Sequence, residues 1–101
     1  MDYSELEFIK SFCQGFVNPV ILFNKKWEII YCNKKNFLAP DATLQDLTMG
    51  REEKLKSHHS FLMTVNGRQY CSRVSLHGDL YLCELFSSED WFELADKAGI
   101  Y

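Results

Sequence analysis

Pro19-Val20-Ile21-Leu22-Phe23-Asn24-Lys25-Lys26-Trp27-Glu28-Ile29-Ile30-Tyr31-Cys32-Asn33 is the stretch whose reading decides the fold. Val20 to Phe23 is an unbroken apolar run, and Glu28 to Cys32 is rich in β-branched and aromatic residues. The polar residues between them supply a turn, so the unit reads as two neighbouring strands. A strand apolar at every position is buried on both faces and therefore central in its sheet. The facing of the second strand stays open. A two-residue Lys25-Lys26 turn points Ile30 and Cys32 inward, whereas one more loop residue points Ile29 and Tyr31 inward, because side chains alternate along a strand.

Upstream, Asp2 and Glu5 have the spacing of a capping box. Leu6, Ile9, Cys13 and Phe16 then fall on one helical stripe that Phe8 and Phe12 widen, which predicts an amphipathic helix over residues 3–16. Asn18-Pro19 ends it, since the residue before proline is pushed out of the α region. Downstream, Pro40 and Gly50 interrupt the chain between Lys34 and His58, and Thr43 is placed to cap a short helix carrying Leu44 and Leu47. Arg51 to Lys56 mixes both charges around Leu55, the pattern of a solvated helix face.

Asn66-Gly67 between two alternating runs predicts a hairpin with a type I′ turn. With Val65 opposite Arg68, one side carries Phe61, Met63, Val65, Tyr70, Val74 and Leu76, and the other carries Thr64, Gln69, Arg73 and Ser75. A second tight turn at His77-Gly78-Asp79 returns the chain into Leu80 to Phe86. Tyr81, Cys83 and Leu85 then share a side with Val74, and Leu80, Leu82 and Phe86 face the other way. This strand too is apolar on both faces, hence central and next to Val20–Phe23. The second apolar face needs a cover, for which the N-terminal helix, from this chain or a partner chain, is available.

The chain's 101 residues make one domain. With 47% hydrophobic and 25% charged residues the composition is that of a folded globular protein. A net charge of −3 lacks the basic excess that nucleic-acid binding requires. No apolar run approaches the roughly 20 residues of a membrane span, and the acidic N-terminus is unlike a signal peptide, so a cytoplasmic protein is expected. Cys13, Cys32, Cys71 and Cys83 are widely spaced without a C-x-x-C pair, which predicts reduced, mostly buried thiols and no metal site.

Two strands, short helices and three further antiparallel strands resemble the PAS arrangement over residues 18 to 88. Phe23 to Asn33 resembles that family's strand, acidic turn, strand and Asn pattern, with Asn24 where an Asp is usual and Trp27 where a Gly is frequent. Asn33 matches the family's corner Asn, and its expected role is to cap a following helix. Asn66-Gly67-Arg68 is similar to the Asp-Gly-Arg hairpin of the family, and Ser87-Ser88-Glu89-Asp90 is a degenerate form of its closing Asp-Ile-Thr-Glu. The resemblance implies an α+β fold: a five-stranded antiparallel sheet, short helices on one face and an N-terminal amphipathic helix. The segments are residues 1–17 (helix), 18–87 (core) and 88–101, an exit helix with Trp91, Leu94, Ala95 and Ala98 on one stripe.

The resemblance further implies a sensory or regulatory module that binds a small ligand, or relays a packing change, to a C-terminal output domain, a histidine kinase first and a transcriptional regulator next. Ile21, Phe23, Tyr31, Phe61, Met63, Tyr70, Val74, Tyr81 and Cys83 are the candidate pocket lining, although a filled core is preferred because the helical layer is short. The alternative is a ligand-free homodimerisation module that pairs through the N-terminal helix and the outer sheet face. Heme at His58-His59 and flavin at a reactive Cys are not expected, because adjacent histidines at such a junction are usually exposed and the strand thiols lack an electropositive neighbourhood. His77 beside Asp79 lies in a turn where polar residues belong, and no activated nucleophile or Gly-rich phosphate loop accompanies it, so the fragment is read as non-enzymatic.

Overall fold

The computed structural model describes residues 3–48, 50, 52–56 and 62–87. Their elements are α1 (Tyr3–Gln14), β1 (Val20–Phe23), β2 (Ile29–Cys32), α2 (Leu44–Thr48), α3 (Glu52–Lys56), β3 (Leu62–Val65), β4 (Arg68–His77) and β5 (Leu80–Ser87). The strands form a single antiparallel sheet in the order β2-β1-β5-β4-β3, an α+β, PAS-like architecture. Its centre is where two-faced apolarity puts it: β1 and β5 are adjacent, with Ile21 opposite Cys83 and Leu22 opposite Leu82. All of β1 is sealed from solvent.

Local turn chemistry sets the rest of the register. Asn66 and Gly67 have φ of 52° and 77°, the paired left-handed conformation of a type I′ turn, and Val65 pairs with Arg68 and Met63 with Tyr70. Gly78, at φ 62°, turns the chain so that His77 pairs with Leu80. Strand alternation then divides the side chains into two cores. The inner one joins Ile21, Phe23, Met63, Val65, Cys83 and Leu85 to Leu44, Leu47 and Leu55 of the short helices. The outer one joins Val20, Leu22, Leu80 and Leu82 to Cys13, with Leu6, Ile9 and Phe16 packed against it.

The cover on the outer face is this chain's own α1. Phe8 and Phe12 do not widen the buried stripe as expected; they are 72% and 52% exposed. On the inner face Thr43 caps α2 as its position predicts. Its Oγ1 accepts from the Asp46 N–H at 3.3 Å, and the Asp46 carboxylate accepts from the Thr43 N–H at 3.1 Å. Gly50, at φ 83°, follows the helix and donates its N–H to the Gln45 carbonyl. Leu55 anchors α3 and is fully buried. Leu76 shares the inner side but is 50% exposed, because β4 extends beyond the helical cover.

Two expectations around β2 are corrected. Ile21 pairs with Cys32 and Leu22 with Tyr31, yet Phe23 pairs with Ile29, so Ile30 is an extra residue at a bulge. The bulge resets the alternation: Ile29 and Cys32 pack on the inner core, Tyr31 on the outer one, and neither of the pairs proposed from a regular strand holds. Asn33 caps no helix. Its Oδ1 accepts from the Val20 N–H at 2.7 Å, and its Nδ2 donates to the carbonyls of Cys13 (2.9 Å) and Asn18 (3.1 Å). One side chain thereby ties the end of α1 to the start of β1.

Candidate functional site

The inner helical layer is thin, being built from helices of five residues each and irregular chain. Where it meets the β1–β2 turn it leaves a groove of about 460 Å³. Trp27, Ile29 and Leu44 form the apolar side of the groove, and Lys26, Glu52 and Lys56 bring charge to it. That volume lies within the roughly 300–1,000 Å³ of small-molecule sites.

One side chain organises the turn beneath the groove. Asn24 Oδ1 accepts from the N–H groups of Lys26 and Glu28, both at 2.9 Å, and its Nδ2 donates to Glu28 Oε1 at 2.9 Å. An Asn here supplies acceptor and donor together, which an Asp could not. Trp27 follows with φ 63°, a conformation in which a bulky residue is strained by about 1–2 kcal/mol. It is held there by stacking on Tyr81, with centroids 4.1 Å apart and planes at 13°, and by Phe23 at 5.5 Å. Lys25 Nζ lies 5.3 Å from the Tyr81 ring centroid.

The charges on the groove are differently engaged. Glu28 is committed to Asn24. Lys56 reaches the exposed Glu53 at 3.8 Å, a loose surface contact. Glu52 Oε2 is buried and has no hydrogen-bond partner.

The candidate lining residues are distributed otherwise. Ile21, Phe23, Met63, Tyr70 and Cys83 sit in the inner core, with Val74 and Tyr81 packed against it. Tyr31 lies on the opposite face, where its hydroxyl meets the Gln14 amide and Lys10 Nζ lies 5.6 Å from its ring centroid. Phe61, the histidines at 58 and 59 and the expected exit helix fall outside the described residues. None of the described candidates borders the groove. Lys26 and Glu52 escaped the sequence reading because a charged turn and a mixed-charge run both look like solvated surface. The available signal was Trp27 at a position where the resembled family often has Gly.

The thiols are insulated from chemistry. Burial pushes Cys83 up to about 12, with the neighbouring Glu84 adding to it, and Cys13 up to about 11. Burial also raises Cys32 and Cys71. Among the described residues no cluster of three potential metal ligands occurs, and no helix is long and apolar enough to cross a membrane.

Sheet order, the helix behind the sheet and the short helices in front of it define the class: a PAS-like α+β fold. No family model and no curated protein matches the chain. Among solved structures, the sensory domain of the Campylobacter jejuni chemoreceptor Tlp3 (CcmL) is similar at a TM-score of 0.57 and 15% identity, over 82% of this chain and 33% of that one. The ligand-binding domain of Tlp3 in complex with L-norvaline is similar with the same values. The chain thus spans about a third of the length of those domains, and what it shares with them is the fold. These neighbours are the sensory and ligand-binding domains of a chemoreceptor.

Proposed function

We propose that the chain is a sensory module of a signal-transduction protein, in which a small molecule taken up beside the inner helical layer changes how that layer packs on the sheet. The observation that carries this reading is the position of β5. It sends Cys83 and Leu85 into the inner core and Leu80 and Leu82 into the outer one, so a shift in either layer acts on the strand that leads out of the domain. An output region in cis, a histidine kinase or a transcriptional regulator, would read the displacement at Ser87. Ligand would shift the population only by its differential affinity for the two packings. The likeness to chemoreceptor sensory domains, one solved with L-norvaline, supports the small-molecule part of the reading.

A metabolite library screened by thermal shift, followed by hydrogen exchange with each stabilising compound, tests the proposal. The expected result is a raised Tm and altered protection toward the end of β5. A library in which no compound raises Tm would overturn it.

A second reading, pairing of two copies through α1, is favoured by the exposed Phe8, Phe12 and Val17. Phe12 also lines a groove of about 350 Å³ together with Phe16 and Leu82, with Arg73 and Glu84 as charges of opposite sign. Light scattering that gives a dimer for the parent chain and a monomer for Phe12→Asp supports this reading; a monomeric parent at high concentration removes it.

A further inference from the structure

We propose that residues 88–101 return across the outer face of the sheet and pack on an apolar row that crosses β3, β4 and β5, a strap over the part of that face which α1 leaves uncovered. The row is set by register. Phe86 pairs with Cys71, and Cys71 pairs with Leu62. Directly paired residues share a face, and alternation along β5 puts Phe86 on the side of Leu80 and Leu82. The three side chains therefore line up on the outer face, at the end of β5 away from the His77–Leu80 turn.

Burial shows that the row has a cover. Cys71 and Phe86 are 7% and 8% exposed, yet they belong to neither of the two cores described above. Gln69 and Arg73, which flank Cys71 on the same side of β4, are exposed. Strand neighbours can shade a cysteine, but a phenylalanine ring projects past them and needs something laid over it. The cover is not α1. Its apolar stripe is taken up by Val20, Leu22, Leu80 and Leu82, and toward β4 it borders a groove that Arg73, Ser75 and His77 also line. Leu44, Leu47 and Leu55 place α2 and α3 on the other face.

What remains of the chain names the occupant. Outside the described residues the stretches are 1–2, 49, 51, 57–61 and 88–101. Only the last is long enough to carry an apolar stripe, and it starts directly after Ser87, one residue past Phe86. Trp91, Leu94, Ala95 and Ala98 recur at the spacing of a single helix face. A helix of that length spans about 21 Å, whereas β5 and β3, two strand spacings apart, are separated by about 10 Å. The reach suffices, and the row offers Trp91 and Leu94 an apolar surface on which to leave water. Phe86 belongs to β5, the strand that both cores share, so the strap sits where a change in the packing of either layer reaches it. Under the sensory reading above, that change is what moves the strap; the packing itself does not depend on that reading.

The test is thiol labelling, site by site, in the 101-residue chain. A short pulse of iodoacetamide, quantified by peptide mass spectrometry, is expected to label Cys71, like the buried Cys13 and Cys83, far more slowly than in urea. Leu94→Asp, and separately a chain ended after Ser87, are expected to raise the rate at Cys71 about tenfold or more while Cys13 and Cys83 stay protected, which establishes that both cores persist. Cys71 labelling that stays at the parent rate in either folded chain overturns the proposal. So does protection of Cys71 that weakens on dilution, since the cover is then a second copy. Should both variants unfold, a measurement without a destabilising change decides the matter. A nitroxide on Leu62→Cys, a half-exposed position, in a Cys32→Ser background is expected to broaden the amide resonances of residues 91–98, and full intensity there overturns the proposal.

Discussion

The two faces of the sheet solve the same problem in different ways. On the outer face one helix of twelve residues lays Leu6, Ile9 and Cys13 across Val20, Leu22, Leu80 and Leu82, and Asn33 fastens its end to β1. On the inner face two helices of five residues, placed by Leu44, Leu47 and Leu55, cover a wider set of strands. Helices so short do not persist alone and take their positions from packing. A layer assembled from such pieces cannot close over the whole sheet, and the uncovered corner is the groove beside Trp27. The lesson is that the continuous cover provides anchorage, whereas the fragmented one leaves a groove open at its margin.

The comparison breaks most visibly if the two faces unfold separately. Phe23→Ala on the inner side should cost about 3–5 kcal/mol and Leu22→Ala on the outer side about 2–5 kcal/mol. Both losses should appear in a single denaturant transition, because β1 belongs to both cores. Two transitions for Leu22→Ala, with α1 melting first, would mean that the outer layer is an independent unit.

Next in size is the tie between helix and sheet. Asn33→Ala removes an acceptor from the Val20 N–H and a donor from two carbonyls, and should lower stability by about 2 kcal/mol in urea denaturation. Asn33→Asp keeps the acceptor but not the donor, and should not restore the parent value.

Each face also carries one deeply buried thiol, which gives a pH test of both. Cys83 on the inner side and Cys13 on the outer side hold their protons to about 12 and about 11, against 9.0 for an unperturbed thiol. Below pH 9 both states keep the proton and the stability from these sites is complete. Above it the unfolded chain loses protons that the native chain retains, so stability falls as pH rises toward 11 and 12, by up to roughly 1.4 kcal/mol per pH unit for each thiol. Thermal melts from pH 8 to 10.5 should show the decline, and Cys83→Ala and Cys13→Ala should each flatten it, whatever they cost at pH 8.

The smallest effect sharpens the reading of the groove. At most positions Gly is worse than Ala, but at Trp27 the left-handed backbone reverses the order, and Trp27→Gly should be about 1 kcal/mol more stable than Trp27→Ala. Both should fall below the parent, which keeps the stack on Tyr81. Equal stability of the two variants would show that the strain at this turn is negligible.

The sheet was legible before any coordinates because its signals are local and repeat. Asn66-Gly67 sets one register by turn geometry, and the unbroken apolar runs around Leu22 and Leu82 identify the central strands by composition. The stripe Leu6, Ile9, Cys13 was equally plain, a helix long enough to show its period. Where sequence reasoning failed, one residue decided the outcome. The bulge at Ile30 changes nothing in composition, yet it turns Tyr31 away from the inner core and Ile29 and Cys32 toward it.

By itself, then, the amino-acid order determined which segments are strands, which of them lie in the middle and which stripe of α1 is buried, since period and turn chemistry act over a few neighbouring residues. Tertiary structure alone decided that Asn33 joins α1 to β1, that Glu52 Oε2 lies closed off without a hydrogen-bond partner, and that a groove lies between the β1–β2 turn and α3. Those outcomes depend on segments far apart in the chain arriving beside one another, and a charged residue in a turn or short helix carries no local mark of what it will meet there.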